Sequence, residues 1–194
     1  MKAKLKSAIS IIALMLRTIR GSIKINAFQE IVIDGILYRG SKFCDLEVVS
    51  NIYEKLNNGI TLGVFRKIIY SIVGDRILLL AIESHESHPV IVGVNMYYIN
   101  HRDVVESTIH EGFIGVLPES SGKGIATQMR KFAMMHFGLN NFKGISTRIT
   151  INNSASLCSA EKTGFVSVEK YFDPELSEYR HYMICDLQGK KYVK

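Results

Sequence analysis

The sequence predicts an α+β domain, a mixed and mostly antiparallel sheet flanked by helices, preceded by a basic amphipathic helix. Three observations carry that expectation. Aliphatic and β-branched runs of strand length alternate with helix-length amphipathic segments. The connections between them are short and rich in Gly, Asn and Asp. Their order reads β-α-α-β-β-β-α-β-α-β-β, which layers helices on a mixed sheet.

The chain has 194 residues, 47% of them apolar, and three prolines. That length is one domain's worth and supports a core, and the composition excludes disordered, collagen-like and Pro-rich linker proteins. Cys44, Cys158 and Cys185 are widely spaced, so neither a disulfide framework nor a Cys-x-x-Cys metal or redox site is offered. Reduced thiols in a cytoplasmic protein are expected. The net charge is +6, and residues 1–24 hold six of the 24 Lys and Arg and no acid, so the remaining 18 bases match all 18 acids. A neutral body leaves no basic groove for nucleic acid.

Residues 1–26 form the first segment. The apolar run over 8–16 is far shorter than the roughly 20 residues a membrane span needs. Arg17-Thr18-Ile19-Arg20 follows it where a signal peptide would have small cleavage residues, so the segment is expected in the mature protein. At about 100° per residue, Lys2, Lys6, Arg17, Arg20 and Lys24 share one sector. Leu5, Ile9, Ile12, Leu16, Ile19 and Ile23 take the other, apolar side of the helix next to it, with Ala8, Ile11 and Met15 on the flank. Such a face suits an anionic membrane surface, with the protein peripheral at the inner face, or packing on the domain or on a second copy in a homodimer.

Residues 27–194 form the domain proper. Strand patterns cover 31–39, 77–82, 90–99, 108–117, 145–151, 165–171 and 179–187, the last two closing antiparallel. Helical patterns cover 45–56, 62–72, 124–137 and 154–163, with Asn57-Asn58-Gly59, Gly74 and Gly164 as stop signals.

The chemistry concentrates in residues 116–127, a strand end that passes through a glycine turn into a helix. Gly122 and Gly124 leave backbone amides unobstructed, and the helix that follows aims its unpaired N–H groups and positive dipole end at the same point. Such a turn can hold a pyrophosphate. It has neither the P-loop spacing nor the Rossmann fingerprint. A second stretch, Asn153 to Phe165, opens on an Asn cap and closes with Glu161-Lys162-Thr163-Gly164-Phe165.

These two stretches, in this order, resemble the GNAT acetyltransferase superfamily. The family's Arg/Gln-x-x-Gly-x-Gly/Ala signature, after a strand ending in Val-x-Pro, is matched by Ser121-Gly122-Lys123-Gly124-Ile125-Ala126 after Val116-Leu117-Pro118, with serine in the Arg/Gln place. The resemblance implies acetyl-CoA as co-substrate, no metal, and a cofactor site of Val116, Leu117, Ser121, Gly122, Lys123, Gly124, Ile125, Ala126, Thr127 and Asn153. It implies transfer to a primary amine of an amino-sugar, another small molecule or a protein, by direct attack in a ternary complex. The acceptor would lie between residues 45–72 and 165–187. A non-catalytic CoA-binding module of the same fold is the alternative.

Acetyl transfer needs a base for the ammonium proton, donors for the oxyanion and a proton for the leaving thiolate. Strand alternation puts His110 on the same side as Val116, which ranks it first as base, with Glu111 second. Many family members have a tyrosine as thiolate donor where this chain has Ala160. His85 and His88 stand at His-x-x-His spacing without a third ligand, which offers no metal site.

Overall fold

A computed structural model describes residues 2–84, 88–174 and 176–189, residues 2–7 by their backbone alone. Helix α1 (Lys2–Ser22) is followed by β1 (Ile31–Ile33), β2 (Ile36–Gly40), α2 (Leu46–Leu56), α3 (Val64–Ile77), β3 (Leu78–Ser84) and β4 (Pro89–Tyr98). Then come α4 (His101–Glu106), β5 (Thr108–Val116), α5 (Ile125–Leu139), β6 (Gly144–Thr150), α6 (Ser154–Lys162), β7 (Val166–Asp173) and β8 (Glu178–Asp186).

The strands form one sheet in the order β1-β2-β3-β4-β5-β6-β8-β7. Every pair in it is antiparallel except β5 with β6. A parallel pair cannot be closed by a hairpin, and α5 supplies the crossover that joins these two strands. The expected α+β class, with its mostly antiparallel sheet and its N-terminal helix, is what the chain adopts.

Three local expectations are corrected. The strand expected over 31–39 is a hairpin, because Asp34 and Gly35 take φ of +51° and +77°, the left-handed pair that a two-residue turn requires. Gly74 does not stop α3; the backbone departs from helical geometry at Val73 and the helix continues to Ile77. Helix α4 was not anticipated. It opens on a capping box in which Asn100 Oδ1 accepts from the Asp103 N–H at 3.1 Å and Asp103 Oδ2 accepts from the Asn100 N–H at 2.8 Å.

Two glycines show which layer covers each face. A Cβ on Gly93 would meet Met129 and Ile125 of α5, whereas one on Gly115 would meet Leu56 of α2. Gly93 lies opposite Val116, the neighbour of Gly115, so α5 and α2 cover opposite faces of the sheet. Met129, Ala133 and Phe137 of α5 are fully buried, as are Leu78, Leu79 and Leu80 of β3.

Helix α1 docks on this body by its flank. Thr18 and Ser22 are fully buried, and Met15 and Ile19 pack against the core. The Thr18 hydroxyl donates to the Ile99 carbonyl at 3.3 Å and accepts from the Ile99 N–H at 3.1 Å. Both groups lose their bond if the hydroxyl goes, at about 1–3 kcal/mol for a buried group left unsatisfied. Thr18→Val is therefore expected to lower the unfolding free energy by that amount and the urea midpoint with it, and an unchanged midpoint would mean that α1 is not docked through this bond.

Candidate active site

Strands β5 and β6 pair only over Thr108–Glu111 and Gly144–Thr147. Beyond Glu111 and Thr147 they part, and a cleft of about 590 Å³ opens between Gly112–Gly115 on one strand and Arg148–Thr150 on the other. Each strand is satisfied on its far side, β5 by β4 and β6 by β8. The facing edges hold main-chain groups that are available to a ligand.

A buried ion pair marks the point of parting. Arg130 of α5 holds the Glu111 carboxylate through Nη2 at 2.7 Å and Nε at 3.1 Å, with both side chains 1% exposed. Asn95 Nδ2 donates to the same carboxylate at 3.2 Å, and Arg130 Nη1 donates to the Ser156 carbonyl of α6 at 3.3 Å. On the main chain the Thr147 hydroxyl donates to the Glu111 carbonyl at 3.1 Å. Glu111, expected as second choice of base, thus stands at the cleft with its carboxylate fully engaged.

His110 is not where strand alternation puts it. The register with β4 slips between Met96 and Tyr97, so that Gly112 is left without a partner and Tyr97 faces Glu111. The extra residue inverts the alternation. Glu111 shares the side of Ile114 and Val116, and His110 turns to the opposite face, beside the Tyr98 ring at 4.8 Å. There it is 2% exposed and bonds through Nδ1 to Ser146 Oγ at 2.7 Å. Ser146 gives its own proton to Asp103 Oδ1 at 2.8 Å, so Nδ1 carries the imidazole hydrogen. Burial, aided by the positive charges of Arg148 and Arg180, lowers the His110 pKa to about 3. The ring is neutral and sealed at any physiological pH.

The glycine turn has the geometry expected of it. Gly122 and Gly124 take φ of +80° and +76°, and at either one a Cβ would point into open space. No side chain caps α5, and Gln128 N–H makes the first bond back, to Gly124 O. The N–H groups of the first helical turn, Ile125 to Thr127, accordingly face outward at the positive end of the helix. Ser121, Gly122, Lys123 and Gly124 are exposed, whereas the Ile125 side chain is buried and anchors the helix. Lys123 is drawn aside to Glu83 at 2.7 Å. Val116 and Leu117 are half-buried along the approach to the turn, and Ala126 is half-buried in its first helical residues. Thr127 Oγ1 lies 3.5 Å from Ser159 Oγ, which joins α5 to α6.

On the other wall, Asn153 caps α6 by accepting from the Ser156 N–H at 3.0 Å and also lines the cleft. Ala160 is fully buried in that helix. Three charged residues of the cleft are not marked by the sequence: Arg148, Glu178 and Arg180. Arg148 sits in an ordinary strand pattern, and nothing in that pattern tells that its strand loses a neighbour at this residue. His85 lies outside the described residues, and among those described no group of three His, Cys, Asp or Glu could hold a metal.

Two consequences concern stability. Arg130→Met leaves a buried carboxylate without its counter-ion and is expected to cost about 3–5 kcal/mol in urea unfolding, much of it recovered by adding Glu111→Leu. His136 is lowered to about 4, mainly by burial, alongside His110 at about 3. Between those values and 6.5 the unfolded chain binds protons that the folded chain refuses, so stability is full above 6.5 and falls as pH drops through that window. Urea titrations at several pH values check this, and His136→Asn should flatten the dependence.

The sequence matches no protein-family model and no curated protein. Solved structures do match. The NatC complex bound to Gag peptide and CoA is 14% identical with a TM-score of 0.68, covering 78% of this chain and 98% of that one. NAA60 from Arabidopsis thaliana in complex with acetyl-CoA is 14% identical with a TM-score of 0.66, over 78% and 99% of the two chains. YncA from Salmonella typhimurium, a putative acetyltransferase with its cofactor acetyl-CoA, is 15% identical with a TM-score of 0.62, over 82% and 98%. At such identities the likeness is one of architecture, and that architecture is the GNAT fold.

Proposed function

We propose that the protein transfers the acetyl group of acetyl-CoA to the primary amine of a small molecule or a protein. The observation that carries this reading is the parting of β5 and β6 beside an uncapped helix N-terminus. The amide groups of a pantetheine arm can bond the open strand edges as a missing strand would, and the pyrophosphate suits the N–H groups at Gly122 to Thr127. Acetyl-CoA in the NAA60 and YncA structures supports the same reading.

In the reaction the ammonium gives one proton to a base, the amine nitrogen so freed forms a bond to the thioester carbon, the carbon–sulfur bond breaks, and as the nitrogen gives up a second proton the thiolate of CoA takes one up. N–H groups on the open edge of β5 serve the oxyanion. His110 is sealed and Glu111 is buried in a close pair with Arg130, which leaves Glu178, half-buried in the cleft wall and paired with Arg180 only at 3.6 Å, as the carboxylate for proton transfer. Ala160 offers no proton to the thiolate, and water supplies it.

The N-terminal helix suggests an address. Docking by its flank leaves Ile9, Ile12, Leu16 and Ile23 between 43% and 58% exposed, beside Arg17, Arg20 and Lys24. No helix among the described residues is long and apolar enough to cross a membrane. An apolar stripe edged with basic residues suits the interface of an anionic membrane, where each base contributes about 1 kcal/mol.

Three measurements test these proposals. Purified protein with acetyl-CoA and an amine panel is expected to release thiol, with Gly124→Val raising the KM for acetyl-CoA about tenfold or more by forcing a β-branched residue into a left-handed turn. Acetyl-CoA binding without thiol release from any amine would favour the non-catalytic module. Glu178→Gln should lower kcat about a hundredfold while the KM for acetyl-CoA stays put. Co-sedimentation with phosphatidylserine vesicles should fall on Ile12→Ser with Leu16→Ser; equal sedimentation of both proteins would remove the membrane address, and a concentration-dependent mass would assign the stripe to a homodimer.

A further inference from the structure

The charge that lines the cleft narrows the acceptor. Arg148 lies on β6 directly after Thr147, the last residue paired with β5, so its side chain stands where the cleft begins. It is exposed, and among the described residues it has neither an ion pair nor a side-chain hydrogen bond. Arg180 of β8, opposite Thr150, lies on the same side of the sheet as Arg148, which is opposite Tyr182. Its guanidinium is committed: Nη2 donates to the Arg148 carbonyl at 2.8 Å, and it pairs with Asp173 at 3.4 Å and with Glu178 at 3.6 Å. Two guanidinium groups therefore neighbour each other in the wall, one held by two carboxylates and one by none. Glu111, the other acid at this point, is cancelled by Arg130. Of the guanidinium groups that line the cleft, Arg148 is the one left, among the described residues, without a carboxylate partner.

We propose that the amine acceptor carries a carboxylate close to its nitrogen, as an amino acid does, and that Arg148 binds this carboxylate and determines specificity. The proposal rests on the acetyl-transfer reading of the cleft. A guanidinium offers two parallel N–H donors that match a carboxylate, and a free fork at the edge of a cleft is attracted to that group and to no second cation. A polyamine would bring a further positive charge against Arg148, and a neutral amine would leave the fork unmatched. With the carboxylate held at Arg148, the amine extends toward Gly112, where the strands part and the thioester would lie. The amine then gains the acetyl group, CoA departs as the thiol, and the ammonium proton leaves for the solvent through the cleft carboxylate.

The test compares α-amino acids with their primary amides and with putrescine, on the full-length protein. Thiol release should favour the carboxylate over the amide by about tenfold to a hundredfold in kcat/KM, the size expected of a charge-assisted pair. Arg148→Gln should abolish that preference through the KM for the amino acid, while the KM for acetyl-CoA stays put. Calorimetric binding of N-acetyl amino acids against their amides reads the same preference without turnover. Amides or putrescine turned over as well as amino acids would overturn the carboxylate while acetyl transfer stands. Carboxylate-selective binding that Arg148→Gln removes, without thiol release from any amine, would uphold the carboxylate site and overturn the enzymatic reading. No selectivity in either measurement would overturn the proposal.

Discussion

The ion pair between Glu111 and Arg130 is the contact on which the rest of the site depends. It joins β5 to α5 directly, reaches β4 through Asn95, and reaches α6 through the carbonyl of Ser156. All four elements meet at the one place where two neighbouring strands stop pairing. Removing either charge strands the other in a dry environment, so the arrangement resists partial opening even though the net gain of a buried pair over an apolar one is small. What the pair provides is geometry: a closed, rigid root to a cleft whose outer part is open.

The cleft itself follows from backbone accounting. A strand has two edges, and β5 and β6 satisfy one each on β4 and β8. The inner edges bond to each other as far as Glu111 and Thr147 and then separate, which leaves main-chain donors and acceptors that water or a ligand must serve. Gly112 adds an unpaired residue at that point, and its missing side chain makes room for the ring of Tyr98, which a Cβ would approach to 2.4 Å. Glycine is thus required there by packing, whereas Gly122 and Gly124 are required by backbone angle. The same stretch of chain uses the residue for two different physical reasons.

The N-terminal helix separates two roles along its circumference. The flank with Thr18 and Ser22 is committed to the body, and the stripe from Ile9 to Ile23 faces outward beside the bases. Periodicity alone groups Ile19 with the outward stripe, yet Ile19 packs on the core with Met15. A helix wheel gives the angular order of side chains, but the direction from which the body approaches is a tertiary fact.

Much of the protein was legible in its residues. Composition and spacing determined the α+β class, the order of the elements apart from the first hairpin and α4, the segregation of positive charge to the first 24 residues, and the turn at Gly122 and Gly124, since each depends on local pattern or local backbone freedom. Asp34-Gly35 and the Asn100–Asp103 box are also present in the sequence, as turn and cap signals, but they lie inside longer hydrophobic runs whose periodicity outweighs them. The side of the sheet that His110 occupies was not legible. One unpaired residue at Gly112 inverts the alternation, and that slip exists only in the register between β5 and β4. The neutralisation of Glu111 and the freedom of Arg148 were likewise decided by tertiary structure, because a charge is spent or available according to what stands within hydrogen-bond reach, and Arg130 is brought to Glu111 by the packing of a helix on a sheet.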